Sequence, residues 1–481
     1  MKGNRAPVQW KKHIPFLGVL LLFFSAGPYI SRPPWFDEVL TLDWLVYPIS
    51  EIPFRYTIPN NHIFYTLCLS AWRSILSCFS LYGTLYLRIL SLIFGGVTVL
   101  IVARRLNRAG NLFASASVTA LFAGCGPLIL FSTALRGYMP AMLFSFSAFL
   151  MAEKWMKFRR KRALVLYFLF CYFAVWTIPT NLLSIGAGLL FLLPLGLRSG
   201  KDFFRLFFLG IVSLVAFSAA YVPILRKFLK VVTIREGWFS YVEFLENYYL
   251  TMFVIFAPLL CFCVSGIIRF LTIRKLRLRM LCFGGVLLFP LLAGLLFQVA
   301  PFPRVFFPMI PLIALILCYL LSGFLRLKKG VLQKLPLAIS VIWLLSLVNT
   351  GNELSRDLFG GHYRDDLLCP YPMTVEFQPH TIAKHLEKAY FSGDFEHIFI
   401  DFDADPPSLE FQLVSRNIPQ SVVLRDRPDF GPVQWLAPGD WIVCRDKKDL
   451  ERIKKRFRLQ NRYRLLKESE RYYQKVYVPE F

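Results

Sequence analysis

HIFYTLCLSAWRSILSCFS (62–80) decides how this chain threads. It is apolar enough to be counted as a membrane span. Yet His62, Thr66, Ser70, Arg73, Ser74, Ser77 and Ser80 recur at spacings of three and four. On a helix they form one polar stripe, with Ile63, Phe64, Leu67, Trp72, Ile75 and Phe79 around the rest. That is the pattern of a helix lying in the membrane interface. The competing reading is an ordinary span whose polar side packs on its neighbours.

The basic clusters separate the two. KFRRKR (157–162), RFLTIRKLRLR (269–279) and RLKK (326–329) lie between apolar runs. If 62–80 lies flat and the basic N-terminus is inside, every major basic cluster falls on the cytoplasmic side, as the positive-inside rule requires. If 62–80 crosses, RRLNR (104–108) and KFRRKR fall on opposite sides from that expectation. The expected spans are then 14–30, 84–103, 111–132, 137–155, 163–179, 180–198, 203–224, 249–268, 280–299, 305–322 and 333–350, about eleven in all.

Composition agrees. The 481 residues are 56% hydrophobic and only 18% charged, too few charges to cover a soluble protein of this size. The net charge of +25 is unevenly placed. Residues 1–350 hold 35 Lys and Arg against 9 Asp and Glu, a balance of +26; residues 351–481 hold 20 against 21. The excess therefore sits in the membrane half, between spans, which excludes a nucleic-acid footprint. The N-terminus could be misread as a signal peptide, with Ser25-Ala26-Gly27 as small residues, but the many later spans favour an uncleaved first span.

Residues 351–481 read as a small extracytoplasmic α/β domain. Its expected helices are 379–390 and 446–457, and its expected strands 397–402, 421–425, 440–444, 462–466 and 472–478. Cys369 and Cys444 could pair if this tail is extracytoplasmic. Asp401, Asp403 and Asp405 read as an acidic strand end rather than a calcium loop.

The threading gathers acids on the outer face. Asp37, Glu38, Asp43 and Glu51 fall in a first outer loop with interfacial helices (31–80). Glu236, Glu243 and Glu246 fall in a second (225–248). Acids held against a span end are costly unless used. His62, Arg136 in ALRGYMP (134–140) and Arg304 in PFPRVFFPMIP (301–311) share that face. A carboxylate there could relay protons, hold a cation or act as a general base. Arginines suit a phosphate, which they grip with paired hydrogen bonds.

In this order the elements resemble the GT-C glycosyltransferases, in the branch of the protein O-mannosyltransferases and lipid A aminoarabinose transferases. The matching stretches are Asp37-Glu38 in WFDEVLTLDW, a divergent PNNHIFYTL (59–67), Arg136 and Tyr138 in ALRGYM, and Arg304 in PRVFFPMIP. They cover residues 14–350. Asn60-Asn61 precede His62, Ile63-Phe64 stand where that branch has two prolines, and Val305 or Phe306 where it has a tyrosine.

The resemblance implies an inverting transferase that takes a sugar from a polyprenyl-phosphate donor. Asp37 would be the base that deprotonates an acceptor hydroxyl. Glu38 would orient the acceptor or a divalent metal ion, or serve as a structural acid. Arg136 and Tyr138, with His62 and Arg304, would bind the donor phosphate; lipid-headgroup contacts or interface anchoring are the plainer readings of the same residues. Asp43, Asn61, Arg226 and Lys227 are candidate acceptor or lipid contacts, although a solvated loop acid and an interface charge cluster explain Asp43 and the basic pair as well. The expected partners are the lipid-linked sugar, membrane lipids and a glycan, lipid or protein acceptor. The expected location is a bacterial inner membrane, with the N-terminus cytoplasmic and the tail periplasmic. A flippase of lipid-linked sugars and a non-catalytic assembly subunit remain as alternatives; the absence of paired repeats or broken midplane helices speaks against the first.

Overall fold

The computed structural model describes residues 6–31, 34, 36–45, 47–54, 62–197, 200–221, 241–297, 303–325, 331–350, 379–401, 406–425, 433–444, 446–468 and 475–480. They fall in two compact units.

The first unit is helical. Its helices are α1 (Ala6–Ala26), α3 (Ile63–Ser77), α4 (Thr84–Ala109), α5 (Leu112–Ala123), α6 (Gly126–Ser132), α7 (Tyr138–Phe158), α8 (Lys161–Thr177), α9 (Asn181–Gly196), α10 (Gly200–Tyr221), α11 (Tyr241–Thr272), α12 (Arg274–Phe297), α13 (Ile310–Leu325) and α14 (Val331–Thr350). A 3-10 stretch, Pro303–Met309, leads into α13. Every expected span therefore meets a helix. By length and apolar composition, Thr84–Ala109 and Phe306–Leu325 qualify as crossings by themselves among the described residues.

The expected span 111–132 is instead two helices, α5 and α6, bent by 53°. The reason is local: Pro127 sits in the first turn of α6, where it cannot donate to the turn before. The polar-striped stretch is α3, a helix as expected. Its 15 residues are about 22 Å long, short of a hydrocarbon core of about 30 Å.

Helices in this unit approach closely where side chains are smallest. A methyl group on Gly266 of α11 would stand 2.2 Å from the backbone oxygen of Leu320 on α13, so only glycine permits that crossing. One buried polar cluster bridges three helices. Arg105 of α4 forms a two-pronged ion pair with Glu153 of α7, at 2.7 and 3.0 Å, and also donates to the Tyr319 hydroxyl on α13.

The second unit joins α2 (Phe36–Trp44) to the C-terminal residues, α15 (Pro379–Phe391), α16 (Pro406–Val414), α17 (Lys447–Phe457) and five strands. The strands are β1 (Ile398–Ile400), β2 (Val423–Leu424), β3 (Trp441–Cys444), β4 (Arg462–Glu468) and β5 (Lys475–Glu480), in sheet order β2-β1-β3-β5-β4. β1 runs parallel to β2 and β3; β5 runs antiparallel to β3 and β4. The two-residue alternation of a strand builds two cores. Ile398, Ile400, Trp441, Val443, Val476 and Val478 face one way, with Ile382 and Leu386 of α15 and Leu409 and Leu413 of α16. Phe399, Ile442, Cys444 and Tyr477 face the other way, with Leu450 and Ile453 of α17. The tail is thus an α/β layer structure, as expected. The sequence reading supplied its strands and two of its helices, but not α16.

Candidate functional site

His62 is the residue before α3. Its backbone oxygen accepts from the Thr66 amide at 2.9 Å and from the Thr66 hydroxyl at 3.2 Å, which fixes the start of the helix. Its ring is buried and meets the loop ahead of α7. Nδ1 accepts a hydrogen bond from the Gly137 amide at 2.6 Å, Nε2 lies 3.4 Å from Nη2 of Arg136, and the ring stands edge-on to Tyr138 at 4.9 Å between centroids. Arg136 is 1% exposed and Tyr138 is 4% exposed. Three residues named from two separate sequence stretches therefore form one cluster.

Gly137 lets this happen. A methyl group there would lie 2.7 Å from His62 Nδ1, 2.9 Å from His62 Cβ and 2.8 Å from Thr177 Cγ2. The histidine seats directly against bare backbone.

The same loop is tied to α3 and α4 by a second chain. The Ser91 hydroxyl donates to the Ala134 oxygen at 2.6 Å. Its proton is thereby committed, so the Tyr65 hydroxyl, 2.7 Å away, donates to Ser91. One turn before Ser91, Arg88 is fully buried and donates to the Ile30 oxygen at 2.9 Å. Sequence reasoning passed over Arg88 and Ser91. The signal was present: a lone arginine in the apolar run YLRILSLIFGG marks a functional position by default.

The 3-10 stretch that carries Arg304 borders the cluster through its aromatics. The Phe307 ring lies 4.6 Å from that of Phe131, tilted by 58°, and Phe131 lies 4.3 Å from Tyr138. The Arg304 side chain, Asn61, Arg226 and Lys227 lie outside the described residues, as does Cys369.

Asp37 and Glu38 are in the second unit, in the first turn of α2. A helix N-terminus favours acids electrostatically. Both are buried, Asp37 at 7% and Glu38 at 0% exposure. The Thr41 hydroxyl donates to the Asp37 backbone oxygen at 3.0 Å. Asp43 is a third of a turn short of sharing the Asp37 side of the helix, because six residues advance about 600°. It is half-exposed and faces Arg425, at 3.8 Å. Asp401, at the end of β1, pairs with Arg452 at 2.7 Å; Asp403 and Asp405 lie outside the described residues. Among the described residues no group of three or more His, Cys, Asp or Glu is placed to hold a metal ion.

What the first unit can do chemically follows from hydrogen-bond polarity. An amide only donates, so Nδ1 of His62 is the acceptor nitrogen, and a neutral ring carries its proton on Nε2. Nε2 and the Arg136 guanidinium are then two donors side by side. An anionic oxygen between them serves both.

No family model matches the chain, and no curated protein matches it. Solved structures do. ArnT from Cupriavidus metallidurans in the apo state aligns over 98% of both chains, with a TM-score of 0.62 and 13% identity. The same protein bound to undecaprenyl phosphate aligns over 98% of both chains, with a TM-score of 0.55 and 13% identity. The arabinofuranosyltransferase AftD from Mycobacteria, at a TM-score of 0.47, is matched over 82% of this chain and 29% of its own. The resemblance read from four short motifs holds at the level of the fold: this chain is a helical membrane protein with the architecture of the GT-C glycosyltransferase ArnT.

Proposed function

We propose that the protein is an inverting, integral-membrane glycosyltransferase that moves a sugar from a polyprenyl-phosphate donor to an acceptor on the extracytoplasmic side. The observation that carries this is the paired donor group of His62 Nε2 and Arg136, buried beside Tyr138. The ArnT fold, solved elsewhere with undecaprenyl phosphate bound, adds support. Asp37 takes the proton from the acceptor hydroxyl. The freed oxygen pair attacks the anomeric carbon from the side opposite the phosphate, and the bond to the phosphate oxygen breaks. The leaving pair goes to the phosphate, whose added charge Arg136 offsets and the His62 Nε2–H stabilises by a hydrogen bond. Such donors in a water-poor site are worth roughly 3–4 kcal/mol each. Tyr138 and Arg304 complete the phosphate pocket, while Glu38 orients the acceptor. Asp37 and Glu38 could supply two oxygens to a divalent ion, but no step here requires one. About eleven crossings, a cytoplasmic N-terminus and a periplasmic tail complete this reading.

The test is transfer from a panel of radiolabelled undecaprenyl-phosphate sugars in proteoliposomes, wild type against Asp37→Asn at matched folding. Losing a catalytic base lowers transfer by about 10²–10⁴-fold. Equal transfer by both proteins removes Asp37 as the base. Movement of intact lipid-linked sugar across the bilayer without transfer marks a flippase instead.

A further inference from the structure

Helix α2 has nine residues. Helices shorter than about 12 residues do not hold themselves in water. The position of the two acids in its first turn is therefore set by what α2 packs against, and among the described elements that is chiefly α16 of the C-terminal residues. Resting on the glycosyltransferase reading above, we infer that Arg425, held by Glu410, is a positioning residue for Asp37 and Glu38, so that the tail supplies part of the catalytic centre.

The geometry forms a relay with a fixed end and a gripping end. Leu409 and Leu413 root α16 in the tail's core. Between them Glu410 turns to a buried position, 4% exposed. Its Oε1 accepts from Gln420 Nε2 at 2.8 Å, and its Oε2 pairs with Nε of Arg425. Arg425 directly follows β2, so its backbone is fixed by the sheet as well. With Nε committed to Glu410, the planar guanidinium has one orientation, and it directs Nη2 at Asp43 near the end of α2.

Charge makes the arrangement one-directional. Arg425 carries one positive charge between two carboxylates. The Glu410 pair is buried and therefore strong, whereas Asp43 is 48% exposed and its pair is weak taken alone. The weak contact matters for where it acts. It acts on the C-terminal end of the same short helix whose first turn carries Asp37 and Glu38, so a shift there moves the acids with it. A lysine at 425 keeps the charge but lacks the fork, so it cannot serve both carboxylates in a defined direction.

The experiment uses the full chain in lipid nanodiscs. In Arg425→Gln, amide hydrogen exchange of the 36–45 segment rises about tenfold, while that of 447–457 stays unchanged. Arg425→Lys gives an intermediate increase. In the proteoliposome assay, Arg425→Gln lowers kcat about tenfold or more and leaves KM for the undecaprenyl-phosphate donor unchanged. Asp43→Asn added to Arg425→Gln costs less than the product of the two single effects. The inference is overturned if exchange of 36–45 does not change, or if it rises by the same factor across 379–480, which would mean general loosening of the tail. It is also overturned if Asp37→Asn is inactive while Arg425→Gln keeps wild-type kcat; the glycosyltransferase reading then stands without it. Full activity of Asp37→Asn has the opposite meaning, removing the base and leaving the exchange result as a statement about helix placement.

Discussion

Replacing Gly137 by alanine tests whether the His62–Arg136 cluster is built as described. Ordinary van der Waals contact begins near 3.4 Å, and the new methyl would lie at 2.7, 2.8 and 2.9 Å from His62 Nδ1, Thr177 Cγ2 and His62 Cβ. The histidine must retreat by about 0.5–0.7 Å, and nothing at the contact is the yielding end of a flexible chain. That retreat stretches the hydrogen bond from the Gly137 amide. Overpacking costs about 1–3 kcal/mol, and an unsatisfied buried amide costs a similar amount. Both are relieved by one movement, so we expect a total loss of about 2–4 kcal/mol rather than their full sum. If His62 binds the donor phosphate as proposed, transfer should fall further than stability implies, because a shift approaching 1 Å in such a group costs about 10²-fold in rate. Thermal unfolding in detergent reads the first effect and proteoliposome transfer the second. Gly27→Ala is the control: a methyl there meets nothing within 4 Å, and both readings should match wild type. Wild-type melting and wild-type transfer in Gly137→Ala would show that His62 does not seat on Gly137.

Two further expectations follow. Among the described residues Arg105→Met leaves Glu153 with the partly exposed Lys157 as its one cation, so stability should drop by about 3–5 kcal/mol, and Arg105→Met with Glu153→Leu should recover much of it; thermal melts of the three proteins decide. His385, in the tail, has its pKa pushed below the usual 6.5 by burial first and then by Lys467 and Lys388. The folded state therefore binds fewer protons there than the unfolded chain as pH falls through 6.5 towards the lowered value. Stability is fully present above 6.5 and declines below it. His385→Gln should flatten that part of the melting profile between pH 7.5 and 5.5, and an unchanged slope would remove His385 as its source.

How much was legible depended on the range of each interaction. The α3 stripe could be read because its cause is a period within a few residues. So could the alternation of Ile398–Ile400 and Trp441–Cys444, which the sheet converts into two cores. The meeting of His62 with Arg136 and Tyr138 was foreseen only as a shared face; the seat on Gly137 was not, since nothing local announces that a histidine will need a missing side chain. The bend between α5 and α6 was written in Gly124-Cys125-Gly126-Pro127, but the apolar content of 111–132 outweighed it. Two local signals were overlooked, the lone Arg88 and the Pro-Pro start of α16. The company α2 keeps had no local signal at all. Its neighbours in sequence are membrane helices and its partners in space are the last residues of the chain, a pairing that depends on complementary surfaces rather than on any spacing.

That pairing orders events during biosynthesis. The segment 36–44 leaves the ribosome before α3 to α14, and Glu410 and Arg425 leave it after them. Every described helix of the first unit except α1 is translated in between. A nascent chain can therefore insert these helices while Asp37 and Glu38 still lack that docking surface. If these acids are catalytic as proposed, competence would be switched on only once the tail has been made and folds, and products truncated before residue 410 would be inserted but inert. On the proposed reading, the arrangement would couple the onset of activity to folding of the tail, a checkpoint carried in chain order rather than in any added regulator.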